Sequence, residues 1–546
     1  MVSGSSTHAS LLKSAVRRES ALFVWTAFGL CALLGLTFFV HRDLPMMDLP
    51  QHAVQVATWS RWSDLPAAER AELEVNLRTP YLIAYGLARA VSQLVGVVPA
   101  LKLVVFLSPL GNLLALLALS RRTGHSRWLC LLALPLSFGF SFYFGFVSFL
   151  FATPLIVFAL VLAFDHATSP TLRSGVSLAA LLCVTLAAHG FALCISLLSV
   201  VPLLAFGPGT RPLAALRSER RHVLLLRLAP LLAPLALGLA WLTPAADDPA
   251  IYDLTIRFNR LTRWLPMLFG AGLFADLTAV ALGLAFMALV TLSCGRFSRA
   301  PGRWGLFVVV LFGYAFVPEM LWNTAFLHER FVGLLLPALM LGAEPRRQHQ
   351  GLDTRIAVLA AATCVAWSFV FWSRLSIFNR EMADYHRLTE ALPTGLRIRP
   401  LIFERDSRAI PGAPVYLHVS AYYHAERGGI PAYSFAVQPA AVIRYKRGHS
   451  SPLSPGLEWA PERFDPALDA DRYDYFLVRG GPDSRELFSR SPLPIVLDAC
   501  RGSFCGYRSE RGARGIASSA WRLGGRSPYS SLSARRNTPD PVAANR

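Results

Sequence analysis

Two stretches of this chain, 128–164 and 174–210, each run for 37 residues without a formal charge, and that fact leaves few folds open. Wound as one helix, either would extend roughly 55 Å at 1.5 Å per residue, against a hydrocarbon core of about 30 Å. Each must therefore double back as a hairpin of two membrane spans. The breaks are expected near Phe144-Gly145-Phe146 and near His189-Gly190.

The rest of the chain extends this reading. Only 16% of its residues are charged and 54% are hydrophobic, whereas a soluble domain carries about 25% charged residues. The pattern predicts a polytopic α-helical membrane protein of about eleven spans: 21–41, 100–120, 128–144, 147–164, 174–189, 191–207, 223–243, 264–292, 304–323, 329–343 and 356–374. Ten or twelve spans are the neighbouring alternatives. Residues 50–75 and 80–98 read as helices lying on the outer surface, since Arg89 and Gln93 make the second a poor crossing segment. Lys13, Arg17 and Arg18 before the first apolar run suggest a signal peptide. That run is longer than the usual 7–15 residues and lacks a small-residue cleavage site, so it reads as a retained span.

Charge asymmetry orients the threading. With residues 1–20 cytoplasmic, the inner segments (1–20, 121–127, 165–173, 211–227, 296–303, 344–355) hold 18 Lys/Arg and 5 Asp/Glu. The outer loops (42–79, 247–263, 319–330) hold 8 and 11, as the positive-inside rule requires. The net charge of +19 therefore reports topology and arginine bias, with only three lysines among 53 basic residues. It does not indicate nucleic acid, for which polybasic tracts with interleaved aromatics are missing.

After the last span, hydropathy falls. Residues 377–508 contain strand-like runs, "PVYLHV" (414–419), "YDYFLVRG" (473–480) and "PIVLDAC" (494–500), between Pro/Gly-rich turns. An odd span count places this α/β domain outside. The tail from about 509 lacks apolar periodicity and reads as disordered. Six of the eight cysteines lie in or beside apolar spans. Cys500 and Cys505 flank a short turn, where an oxidising compartment would let them form a hairpin disulfide; two free thiols are the alternative.

Polar residues then sort by side. Well within the spans Asp276 and His189 are the ionisable groups, whereas the outer face gathers Asp43, Asp48 and His52; Asp247, Asp248 and Asp253 with Arg257, Arg260 and Arg263; and Glu319, His328, Glu329 and Arg330. A transporter would concentrate such residues near the midplane. A site at the outer membrane surface is the economical reading.

A first span followed at once by an acid-bearing outer loop, in-plane helices, many further spans and a soluble outer domain resembles the GT-C class of membrane glycosyltransferases. "LHERFVGLLLPALML" (327–341) is similar to the Arg-led late span of such enzymes, and "SFGFSFYFGFVSFL" (137–150) and "YDYFLVRGG" (473–481) to bacterial relatives. The resemblance implies a bacterial inner (plasma) membrane location and a polyprenyl-phosphate sugar donor. It implies an extracytoplasmic glycan, lipid or protein acceptor, positioned or deprotonated by Asp48. It also implies that outer basic residues (Arg330, Arg257, Arg260, Arg263, with His328) hold the donor phosphate. Many members carry a paired Asp-Glu in the first loop. Here Leu49 follows Asp48, and Asp43 as a second carboxylate is wrongly spaced. No metal is thereby assigned, and a divalent ion stays open.

The chemistry needs a base for an acceptor hydroxyl and a cation for the departing phosphate. Asp48 or His52 fits the first and Arg330 the second, since a guanidinium grips phosphate oxygens in bidentate fashion. Each residue also has a simpler reading. Asp48-Leu49-Pro50-Gln51 fits a capping box, Arg330 fits an interfacial anchor, and the arginines at every third residue from 257 to 263 fit a headgroup-facing helix. His189 and Asp276 read as packing partners. No GxxxxGK[ST] loop and no HExxH motif occurs. A non-catalytic envelope scaffold and a lipid-sugar flippase are the competing classes.

Overall fold

The computed structural model describes residues 4–209, 221–241, 260–273, 275–321, 324–346, 350–451, 453 and 457–509. The protein is helical, with a strand-containing C-terminal region. Among the described residues, five helices are long and apolar enough to cross a membrane: Glu19–Val40, Val97–Thr123, Val147–Thr168, His222–Trp241 and Gly351–Thr389. Shorter apolar helices pack against them, among them Leu172–Ala188, Gly190–Phe206, Leu277–Ser293 and Pro301–Phe316. The outward faces leave Phe28, Leu36, Leu198, Phe312 and Phe369 exposed. Apolar surface on that scale is stable against lipid tails and unstable against water.

Both 37-residue runs turn at the expected places. In the first, Gly145 takes a left-handed φ of +85° and the next long helix starts at Val147. In the second, Leu172–Ala188 ends, His189 is extended, and Gly190–Phe206 begins.

Several expected spans are not single α-helices: 304–323 is helical only as Gly305–Phe316 before the strand Met320–Leu321, 223–243 holds a 3₁₀ turn at Ala229–Leu231, and three others are broken outright. Residues 128–144 form a 3₁₀ turn, Arg127–Leu132, and two four-residue helices, Ala133–Leu136 and Phe140–Tyr143. Gly139 breaks the run because it packs directly on the Met267 and Leu268 carbonyls, where a Cβ has no room. Residues 264–292 split into Arg260–Met267 and Leu277–Ser293, around Gly270 and a left-handed Gly272. Residues 329–343 are a 3₁₀ segment, His328–Leu334, followed by the helix Leu335–Gly342. Conversely, the last span does not stop near 374. Its helix, Gln350–Thr389, is 40 residues long and runs roughly 60 Å, straight through the expected domain boundary at 376/377.

That long helix is fixed from inside. Arg374 donates to both carboxylate oxygens of Asp276 at 2.7 and 2.6 Å, and to the Phe269 carbonyl. Asp276 also caps Leu277–Ser293 through the Ala279 amide. Removing one partner of such a buried pair costs about 3–5 kcal/mol, because the other charge is stranded. Asp276 is thus the interhelical partner the sequence suggests.

Beyond the helix lies a four-stranded mixed sheet in the order Ile398–Ile402, Tyr475–Arg479, Phe504–Ser509, Ile495–Arg501. Its first pair is parallel and the others are antiparallel. The 473–480 and 494–500 runs supply two of these strands, but 414–419 does not form one. It is a chain of turns in which Leu417 donates to Pro414 and Val419 to Tyr416. A short, wholly buried apolar run has no period by which strand and turn can be told apart. Cys500 and Cys505 are joined in a disulfide across the last hairpin. Ser509, taken with the tail in the sequence reading, closes the last strand; residues 510–546 lie outside the described residues, as do Asp247, Asp248, Asp253 and Arg257.

The segment that follows the first helix is stitched to this C-terminal region. Strand Leu73–Val75 pairs antiparallel with Ile443–Tyr445. The Gln55 amide brackets Ile443, donating to its carbonyl and accepting from its N–H. Gln51 similarly brackets Tyr433 and Phe435. Asn76 and Thr79 donate to carbonyls of residues 439–441.

Candidate functional site

Asp48 opens the helix Leu49–Ser60 without capping it. Its φ and ψ (−90°, −8°) are already helical, whereas a capping residue is normally extended so that its side chain reaches back to the first amides. The expected capping box therefore fails at both ends, since Gln51 is committed to residues 433 and 435. The Asp48 carboxylate is left for its surroundings.

Those surroundings come from distant parts of the chain. Gly145 presses against the Asp48 backbone so closely that a Cβ on it would stand 2.6 Å from the Asp48 nitrogen. Met47 donates to the Tyr143 carbonyl. His418 brings Nε2 to 3.6 Å from Asp48 Oδ1 and stacks on Tyr433. Arg330 interacts electrostatically with Asp48, yet among the described residues no ion pair joins them. Burial drives the Asp48 carboxyl up to about 8, with Arg330 pulling it down more weakly. Burial, with His52 nearby, pushes His418 down to about 3, so its imidazole is neutral and supplies no counter-charge.

Arg330 is itself held rigidly. Its guanidinium lies 3.9 Å from the centroid of Phe146 and donates to the carbonyls of Phe326 and Ala325. A third contact, at 3.4 Å, reaches His189 Nε2. Phe326 takes a positive φ of 55°, unusual for an aromatic residue, and this turns its carbonyl toward the arginine. Tyr81 lies within electrostatic reach of Arg330, and its ring meets His189 edge-on. An anion entering between Asp48 and Arg330 would find a desolvated, pre-positioned guanidinium, and a hydroxyl would find a carboxyl.

The other sequence candidates fall elsewhere. His52 is beside the site, but both ring nitrogens are occupied: Nε2 donates to Gly145 O at 3.0 Å, and Nδ1 accepts from Tyr85. Burial lowers its imidazole to about 4, so it braces Gly145 and has no lone pair left to act as a base. Asp43 is 3% exposed and accepts from His386 at 2.8 Å, tying the first loop to the long helix. It does not pair with Asp48. Arg260 is buried and bound to the Val317 carbonyl and Glu319. Arg263 donates to Gly272 O. His328 lies against Glu329 and Glu319 rather than toward Asp48, and those three are the described residues whose donor atoms converge enough for a metal.

Sequence reasoning missed His418, Tyr85, Tyr81 and Tyr433. His418 was hidden inside a run read as a strand. The tyrosines lie in half-apolar segments where they resemble core residues, and no spacing marks them. A cavity of about 330 Å³ lies between the helix Leu49–Ser60 and the C-terminal region. It is lined by Gln55, Arg61, Asp64, Glu69, Glu72 and His424, and Asp48 is not among its lining residues. Comparison with family models, curated proteins and solved structures finds nothing that matches this chain.

Proposed function

We propose that the protein is a membrane glycosyltransferase of GT-C-like topology. It crosses the bilayer about eleven times, counting the shorter apolar helices, with Asp48 and the C-terminal region on the extracytoplasmic side. The donor is a polyprenyl-phosphate sugar whose phosphate meets Arg330, and the acceptor hydroxyl meets Asp48. In one displacement Asp48 takes the hydroxyl proton, and the acceptor oxygen bonds to the anomeric carbon. The bond from that carbon to the phosphate oxygen breaks, leaving the electron pair on the phosphate. The acid-rich cavity between residues 54–73 and 424–445 suits a polyhydroxylated acceptor, which such side chains can bind by accepting its hydroxyl protons.

The observation that carries this reading is the electrostatic coupling, without an ion pair, of a largely buried carboxyl (14% exposed) and a buried guanidinium after the first apolar helix. A purely structural pair would close into a salt bridge. The test is transfer of radiolabelled sugar from a panel of polyprenyl-phosphate donors in reconstituted vesicles. Incorporation into an acceptor supports the reading. Vesicle-to-vesicle movement of intact donor without transfer replaces it with a flippase.

Two expected outcomes follow from the geometry. A protonated carboxyl cannot accept a proton, so kcat/KM should climb about tenfold per pH unit and level off above about 8, the value to which burial raises Asp48. A profile flat from pH 6 to 9 removes Asp48 as the base. Gly145→Ala should lower kcat at least about tenfold with the protein still folded, because even a 1 Å displacement of a reacting group can cost that much or more. Here the new methyl group collides with the Asp48 backbone, and φ is +85°. Unchanged kcat in that variant would show that the Asp48 position is not critical.

A further inference from the structure

The segment that delivers Arg330 carries a second constellation, and it does not depend on the transferase reading. Strands Met320–Leu321 and Thr324–Ala325 pair as a short hairpin, and the Phe326 amide returns to the Glu319 carbonyl at 2.9 Å. Glu319 stands before the hairpin, and His328 and Glu329 stand after it. Their side chains converge, with His328 Nδ1 3.0 Å from Glu329 Oε2 and 3.9 Å from Glu319 Oε2.

Proximity alone would allow an ordinary ion pair, but the bonding does not fit one. His328 and Glu329 are 4% and 6% exposed. His328 Nδ1 and Glu329 Oε2 are buried, and neither has a hydrogen-bond partner of acceptable geometry. Two such buried atoms facing each other are destabilising if nothing lies between them. A metal ion satisfies both at once, since it needs lone pairs converging on a point rather than a proton on a line. Around a tetrahedral zinc with bonds of about 2.0–2.1 Å, ligand atoms stand about 3.3 Å apart. The three donor atoms lie within 4.8 Å of one another, close enough to contract onto one ion.

We propose that Glu319, His328 and Glu329 bind one divalent transition-metal ion, with zinc the best match, as a clasp across the base of the hairpin. The imidazole nitrogen disfavours magnesium and calcium, which take oxygen ligands. Two carboxylates neutralise the ion. Arg260, 3.3 Å from Glu319 Oε2, becomes the outer partner that orients that carboxylate. Arg330 lies within electrostatic reach of Glu329, and Arg263 within reach of Tyr314, whose ring packs beside His328. The clasp fixes residue 329 and hence the next residue, Arg330, so it is a positioning device rather than a seat of the chemistry.

The test is direct metal binding to the full-length protein in detergent after chelator treatment. Zinc and manganese are titrated separately against a chromophoric competitor. The expected result is one zinc per chain, binding at least 100-fold tighter than manganese, with Glu329→Gln and His328→Ala each weakening zinc at least 100-fold. Cobalt in place of zinc should give the visible absorption of a tetrahedral site in the wild type and lose it in His328→Ala. No stoichiometric zinc or cobalt uptake by the wild-type protein, which needs no variant to fold, overturns the proposal. So does zinc binding that is unchanged in both variants.

Discussion

Asp48→Asn should abolish sugar transfer while leaving the protein at least as stable as the wild type. Loss of a general base typically costs 10²- to 10⁴-fold, and the amide cannot accept the hydroxyl proton. The stability half follows from the same burial. The folded protein keeps the Asp48 proton up to about pH 8, whereas an unfolded chain loses it near 3.8. Between those values the native state holds more protons, so this residue's contribution falls as pH rises. Asparagine removes that penalty. The variant should match the wild type in melting temperature near pH 4 and exceed it by roughly 2 °C or more at pH 8. Turnover and thermal melting on the same preparations check both halves. A dead but destabilised variant would assign Asp48 to the fold, and an active one would clear it of any catalytic role.

Arg330→Ala should cut kcat by about 10²- to 10³-fold, the range seen when a preorganised charge-stabilising donor is lost. The effect should fall on kcat more than on donor KM, because charge on the phosphate grows as the sugar bond breaks. Arg330→Lys should recover only part of it. Lysine keeps the charge but lacks the planar fork that lies over Phe146 and reaches two carbonyls and His189 at once. A lipid anchor at the interface would behave differently, with lysine serving as well as arginine. Activity within threefold of wild type in Arg330→Ala would falsify the phosphate role.

Much of this was legible from the sequence for physical reasons that can be named. The hairpin breaks at Gly145 and His189-Gly190 were forced by length against bilayer thickness, a constraint with no local exceptions. Asp48 and Arg330 stand out in the sequence because an acid and an arginine directly beside apolar runs are conspicuous. What escaped was set by tertiary contact. Whether Gln51 returned to Asp48 or reached residues 433 and 435 depended on a segment far along the chain. Arg260 looked like Arg330 in the sequence, and only Glu319 and the Val317 carbonyl distinguish them. Residues 128–144 had the hydropathy of a span, but the close packing of Gly139 on residues 267–268 overrode helix formation.

The glutamine brackets and the pairing of Leu73–Val75 with Ile443–Tyr445 also bear on biosynthesis. A ribosome releases residues 42–79 long before it makes residues 433–445. Until then Gln51, Gln55 and the strand at 73–75 have no partners, and His418 has not arrived beside Asp48. Pairings so distant in sequence are slow to form, because the chain must close a long loop before any contact rewards it. The region around Asp48 therefore matures last, after residues 418–445 have been made and docked. A nascent or truncated product can be well inserted and still lack this centre; under the proposed transferase function, half-made molecules would be kept from drawing on the donor.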